Sequence, residues 1–121
     1  MRTHEAIVAV RRGSLILVLH RSPGLGSYWH LVAGGVEEGE TPEEAAVREL
    51  YEETQLRTSV RPLDFSFEHH GIHVDAFVAD APTGWEPVLN SEHDKYLWCS
   101  RGTAGKLLYW PEPRRIVEML P

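Results

Sequence analysis

Apolar residues arrive along this chain in short blocks separated by polar turns. Ala6-Ile7-Val8-Ala9-Val10 and Leu15-Ile16-Leu17-Val18-Leu19 are runs of strand length, rich in β-branched residues. Arg11-Arg12-Gly13-Ser14 lies between them and reads as a hairpin turn, with Gly13 supplying the permissive backbone. Ser22-Pro23-Gly24-Leu25-Gly26-Ser27 is a loop by composition. Tyr28 to Ala33 predicts a short third strand that runs into the pair Gly34-Gly35.

Helix signals then coincide. Thr41 is a good N-cap, Pro42 occupies the first helical position, and Glu44, three residues after the cap, completes a capping box. The predicted helix runs from Pro42 to about Thr54. Val60 to Glu68 and Ile72 to Ala79 predict two further strands joined near Gly71, and Asp80 to Asn90 a loop. Lys95 to Cys99 predicts a last strand. Thr103 to Leu120 predicts helical pieces interrupted by Pro111 and Pro113. No internal repeat, low-complexity tract or linker divides the sequence, so a single domain over 1–121 is expected.

Composition narrows the class. A chain of 121 residues can bury a real core, and its 42% hydrophobic and 25% charged residues are ordinary for a globular protein. The formal charge of −6 argues against a basic surface for nucleic-acid polymers. An anionic substrate would need a metal or a few placed basic side chains. Lone Cys99 cannot form an internal disulfide, which favours a reducing compartment. Leu15 to Leu19 is too short for a membrane span. A cytoplasmic enzyme or binding domain, with no membrane partner, is the default expectation.

The predicted helix has two faces. At about 100° per residue, Glu49, Glu52 and Glu53 share one arc with Ala45, while Ala46, Val47 and Leu50 form an apolar side fit to pack on a sheet. A solvated acidic stripe is the plain reading of such a pattern. Two costs weigh against it. Like charges at i,i+3 and i,i+4 repel, and Glu52 and Glu53 lie in the last turn, where the helix dipole disfavours anions. A bound cation would offset both costs, and oxygen-only ligands point to Mg²⁺ or Mn²⁺ over Zn²⁺. Gly34 and Gly35 would let backbone approach a ligand closely.

The stretch from Gly34 to Leu56 resembles the Nudix box of the Nudix (MutT-like) hydrolase family. That pattern has Gly, then Glu six residues on, then eight later Arg-Glu, an apolar residue, any residue, and Glu-Glu. Gly34, Glu40, Arg48, Glu49, Leu50, Glu52, Glu53 and the closing apolar Leu56 match it. Gln55 replaces the usual Gly past the helix, which must either take a left-handed conformation or end the helix differently. Val32-Ala33 replaces a frequent Pro-Gly before the box.

The resemblance implies an α/β fold, with a mixed sheet between the box helix and C-terminal helical segments. It implies Mg²⁺ held by Glu49, Glu52, Glu53 and the Gly34 carbonyl, with Arg48 orienting a helix glutamate and Glu40 supporting the loop or an outer metal shell. Ser91 to Trp98 also looks like a segment of several Nudix pyrophosphohydrolases, making Glu92 a further ligand or general base; a polar loop leading to a core Trp98 is the alternative. Glu53 is the other candidate base. Arg21 would face the phosphates, and Tyr28 and Trp29 are candidates to stack on a base; an exposed charge and core aromatics are the respective alternatives. His69, His70 and His73 cannot all face one way in paired strands and make a poor zinc site, so surface histidines are expected. Cys99 is expected to be a small core residue.

The implied reaction is hydrolysis of a phosphoanhydride in a small, nucleoside-diphosphate-linked molecule. The segment from Glu92 to Trp98 and the closing Tyr109 to Arg115 look most similar to nucleoside triphosphate and dihydroneopterin triphosphate pyrophosphohydrolases. Dinucleoside polyphosphate hydrolases and a non-catalytic nucleotide-binding module are the alternatives, and either a monomer or a homodimer is compatible.

Overall fold

The computed structural model describes residues 3–121. Both apolar blocks become strands covered on each face. In β1 (His4–Arg12), Ile7 and Ala9 enter one core, and Ala6, Val8 and Val10 enter another on the opposite side. A continuous apolar run is what a strand needs when neither face meets water. β2 (Leu15–Arg21) divides its side chains the same way, with Ile16 and Val18 on one side and Leu17 and Leu19 on the other.

β1 and β2 are paired only at the hairpin end, Arg11 to Ile16 and Arg12 to Leu15, and then fork. The first half of β1 pairs antiparallel with β4 (Val32–Gly35), whereas β2 pairs with β3 (Trp29–His30) and with β7 (His93–Cys99). The single strand expected over Tyr28 to Ala33 is therefore two strands broken at buried Leu31, because its halves follow different arms of the fork. On its other edge β1 runs parallel to β6 (Ile72–Asp80), from His4 opposite His73 to Arg11 opposite Asp80. β5 (Arg61–His69) completes the sheet antiparallel to β6.

Helix α1 spans Pro42–Thr54, as predicted, with the full capping box. Glu44 N donates to Thr41 Oγ1 (3.1 Å) and Thr41 N donates to Glu44 Oε1 (2.8 Å). Gln55 takes the left-handed route, with φ of 66°, and its N donates to the Tyr51 carbonyl (2.7 Å). Ala45, Ala46 and Leu50 pack on Ala6, Val8 and Val10.

The opposite face is covered by α2 (Arg101–Leu107) and α3 (Pro111–Glu118). Their break lies at Leu108 to Trp110 and not at the prolines, since Pro111 opens α3 and Pro113 sits in its first turn, where a missing N–H is tolerated. α2 begins before the expected Thr103 because Ser100 caps it, accepting from Thr103 N (3.2 Å). Ala104, Leu108, Ile116 and Val117 pack with Ile7, Ile16 and Val74 in this second core, and Cys99 joins them as expected. The outcome is the α/β arrangement anticipated: a mixed sheet between α1 and the C-terminal helices. No helix of the described residues is long and apolar enough to cross a membrane.

The left-handed Gln55 carries a cost of about 1 kcal/mol that Gly would avoid. Gln55→Gly is expected to raise unfolding stability by roughly that amount in urea titrations, with the m-value unchanged.

Candidate functional site

The C-terminal half of α1 packs its acidic face on the β4 end. Gly34 leaves room for the present placement of Glu49: a β carbon here would overlap that carboxylate and displace it. The three helix glutamates then differ sharply in environment. The Glu52 side chain is 50% exposed, that of Glu49 12% and that of Glu53 1%. A solvated stripe therefore describes Glu52 alone.

Arg48 ties this acidic ground together. Its Nε and Nη2 donate to the two oxygens of Glu40 (2.8 and 3.0 Å), and Nη2 also to the Gly35 carbonyl (2.7 Å). Nη1 donates to Glu49 (2.9 Å) and lies 3.3 Å from both oxygens of Glu52. Glu40 in turn accepts from Glu37 N (3.0 Å), fixing the loop before the helix. The paired Arg48 guanidinium holds the Glu40 carboxyl below the ordinary range.

Glu53 has no such partner. Both of its oxygens are buried without a well-formed hydrogen bond, with only the Glu49 carboxyl and the Ala33 backbone beside them, and His93 Nε2 is 3.9 Å away. Burial, followed by the neighbouring Glu49 and Glu92, pushes its carboxyl well above the ordinary range. Leaving an ionisable group desolvated and unpaired costs several kcal/mol if it is charged. His93, also buried and unpartnered, is held at about 4 by burial and then by Arg21.

In front of these groups opens a cavity of about 520 Å³. Glu49, Glu52 and Gly34 form its acidic side; Arg21 and Glu92 face it from the other arm of the fork. Arg21 Nε is buried without a partner, and its Nη1 is 3.7 Å from Glu92 Oε1. Tyr28 and Trp110 form an aromatic side, their ring centres 6.2 Å apart and edge-on. Glu53 lies behind the acidic side.

Three sequence expectations change here. Trp29 does not line the cavity: it packs against the α2/α3-side core, edge-on to His20, because neighbouring strand residues point to opposite faces. Trp110, from the α2–α3 corner, takes the place expected of it. His69 is not a plain surface residue, since it lines the cavity with its ring 4.7 Å from that of Trp110. Trp98 is core on one side only: it packs half-buried on the α1-side core, with Arg12 over its ring at 4.2 Å and its Nε1 donating to Glu86 (2.9 Å). His30 escaped the sequence reading although it lies two residues from Tyr28 and lines the same cavity, and that spacing within the strand expected there is a usable signal. Trp110 had none, since its position depends on the corner between two helices.

A family model for the NUDIX domain matches residues 1–120, and the chain belongs to that family. It is 32% identical to an octanoyltransferase of Myxococcus xanthus, over 98% of this chain and 36% of that one. An RNA pyrophosphohydrolase of Bartonella quintana is 46% identical over 46% of this chain and 31% of its own length. The chain thus spans about a third of the length of these curated relatives. Among solved structures, E. coli dihydroneopterin triphosphate pyrophosphohydrolase superposes with a TM-score of 0.87 at 24% identity, covering 98% of this chain and 94% of that one. A C. elegans Ap4A hydrolase does so at 0.81 and 23% identity, covering 97% and 93%.

His30 is held at about 3, by burial first and then by the Arg21 charge and by His93 and His69. Its folded value lies below the unfolded one, so its share of stability is complete above about pH 6.5 and is lost as pH falls toward 3. His30→Phe is expected to make the acid limb of urea-measured stability shallower by about 1.4 kcal/mol per pH unit between pH 6 and 4.

Proposed function

We propose that this chain is a Mg²⁺-dependent pyrophosphohydrolase that cleaves a phosphoanhydride in a small nucleotide-like substrate. The favoured substrate is a (deoxy)nucleoside or pterin triphosphate, giving the monophosphate and pyrophosphate. The observation that carries the reading is the Glu53 carboxyl, buried without a cationic partner beside Glu49 and the cradle left by Gly34, where a metal ion would stabilise its ionised form.

The donor set suits a hard divalent cation, because every group is an oxygen and the orphaned Glu53 gains the partner it lacks. Glu49, Glu52, Glu53 and the Gly34 carbonyl would hold Mg²⁺, or Mn²⁺ in its place. When bound, the metal supplies charge neutralisation at the phosphoryl oxygens and lowers the pKa of an attacking water. Arg48 keeps Glu49 and Glu52 oriented and leaves the substrate to other groups, since its donors are already engaged. Arg21, with an unused buried donor, binds phosphate oxygens. Tyr28 and Trp110 flank the base or pterin ring. Glu92 faces the same space and takes the proton of the attacking water, with Glu53 as the other available carboxylate.

Intact glutamates at 49, 52 and 53 favour turnover over mere nucleotide sensing. Octanoyl transfer, the activity named for the M. xanthus relative, finds no cysteine, serine or lysine among the residues lining the cavity.

Purified protein assayed with Mg²⁺ against nucleoside triphosphates, dihydroneopterin triphosphate and dinucleoside polyphosphates should release pyrophosphate from a triphosphate; no turnover across the set would end the enzyme reading. Glu53→Gln should lower kcat by at least about 100-fold while raising metal-free stability at neutral pH, because the variant removes the buried titratable group. Arg21→Gln should raise KM about tenfold with a smaller change in kcat. If Glu92→Gln keeps wild-type kcat, the proton goes to Glu53.

A further inference from the structure

On the sheet face away from the cavity, three strands bring together residues that the catalytic reading does not use. His4 and His73 are register partners across the parallel β1–β6 seam, and Glu68 is the partner of His73 across β5–β6. Asp75, two residues beyond His73, shares its face. His4 Nε2 lies 2.6 Å from one Asp75 oxygen, and His73 Nε2 lies 3.3 Å from the other. Glu68 contacts His73 Nδ1 at 2.5 Å.

We propose that His4, His73 and Asp75 bind a transition-metal ion of the Zn²⁺ class, with Glu68 orienting His73 from behind. Glu68 accepts the Nδ1 proton of His73, and Glu68 first, then Asp75, hold the ring above its ordinary range by favouring a second proton at Nε2, which a metal ion at that nitrogen would displace. A lone pair facing a carboxylate oxygen is repulsive unless a proton or a cation lies between them. One metal ion between the two imidazoles and Asp75 replaces the protons that both contacts otherwise need. The donor atoms all lie within 4.8 Å of one another. A tetrahedral Zn²⁺ with bonds of about 2.0–2.1 Å needs its donors roughly 3.3 Å apart, which the His73–Asp75 pair satisfies, whereas His4 Nε2, now 2.6 Å from Asp75, has to draw back by about 0.7 Å. The carboxylate behind a ligating histidine is the arrangement that fixes ring orientation in metal sites. All three ligands are half-buried, so an ion can enter and water can complete its shell.

Two nitrogen donors distinguish this ligand set from the all-oxygen set around Glu49, and Mg²⁺ competes poorly for imidazole. The site is therefore read with excess Mg²⁺ present. Full-length protein is titrated with Co²⁺ and followed by visible absorption, then with Zn²⁺ by calorimetry. One equivalent should bind, with the cobalt bands displaced by Zn²⁺. His4→Gln and His73→Gln should each weaken binding at least about tenfold, and Glu68→Gln by about tenfold or more. Glu53→Gln should leave binding unchanged. Glu68→Gln alters an exposed side chain, and metal-free circular dichroism confirms folding of each variant. Absence of Co²⁺ and Zn²⁺ binding in excess Mg²⁺, or binding indifferent to His4→Gln and His73→Gln, would overturn the proposal.

Discussion

Four carboxylates crowd the space around one guanidinium, and without Arg48 that crowding would not stand. Glu37, Glu40, Glu49 and Glu52 all lie within ion-pair distance of it. Exposed ion pairs contribute little, but this cation also anchors to the Gly35 carbonyl, so it locks the helix to the strand end. Glu49 is thereby held over Gly34, and the cavity side takes its shape. Glu53 is left outside the arrangement, and its uncompensated burial is the cost the site retains.

Local chemistry made much of this legible. The bounds of α1 followed from Thr41, Pro42 and Glu44, because a capping box acts within one turn and needs no tertiary information. The runs from Ala6 and from Leu15 were legible as strands for the same reason, and the spacing from Gly34 to Glu53 placed the acidic residues beside the glycine. What failed depended on distant parts of the chain. Nothing between Tyr28 and Ala33 marks Leu31 as the point where one strand becomes two; the fork of β1 and β2 decides it. Pro113 was read as a helix breaker because proline usually is one, but it lies within the first turn of α3.

Side-chain roles were harder still. Arg21 and Tyr28 were placed at the cavity by their strand ends, yet Trp29 faces the other way and Trp110 arrives from a corner more than 80 residues on. His73 was judged together with His69 and His70, its neighbours in sequence. Its actual companions are His4, which is set by a parallel register, and Asp75. Parallel pairing joins residues with no turn between them, so no local pattern announces it.

The fork has a further consequence. Glu49, Glu52 and Gly34 belong to the arm built on β1, β4 and α1, whereas Arg21, Tyr28, His30 and Glu92 belong to the arm built on β2, β3 and β7. The two arms share backbone pairing only at Arg11 and Arg12. What else joins them is side-chain packing, since Leu17 and Leu19 of β2 share a core with Ala45 and Leu50 of α1, and a tether from Asn90 Nδ2 to the Glu52 carbonyl (3.1 Å). A change at the tip of the second arm is thus transmitted to the carboxylates through the shared core and one amide, and hardly at all through the sheet.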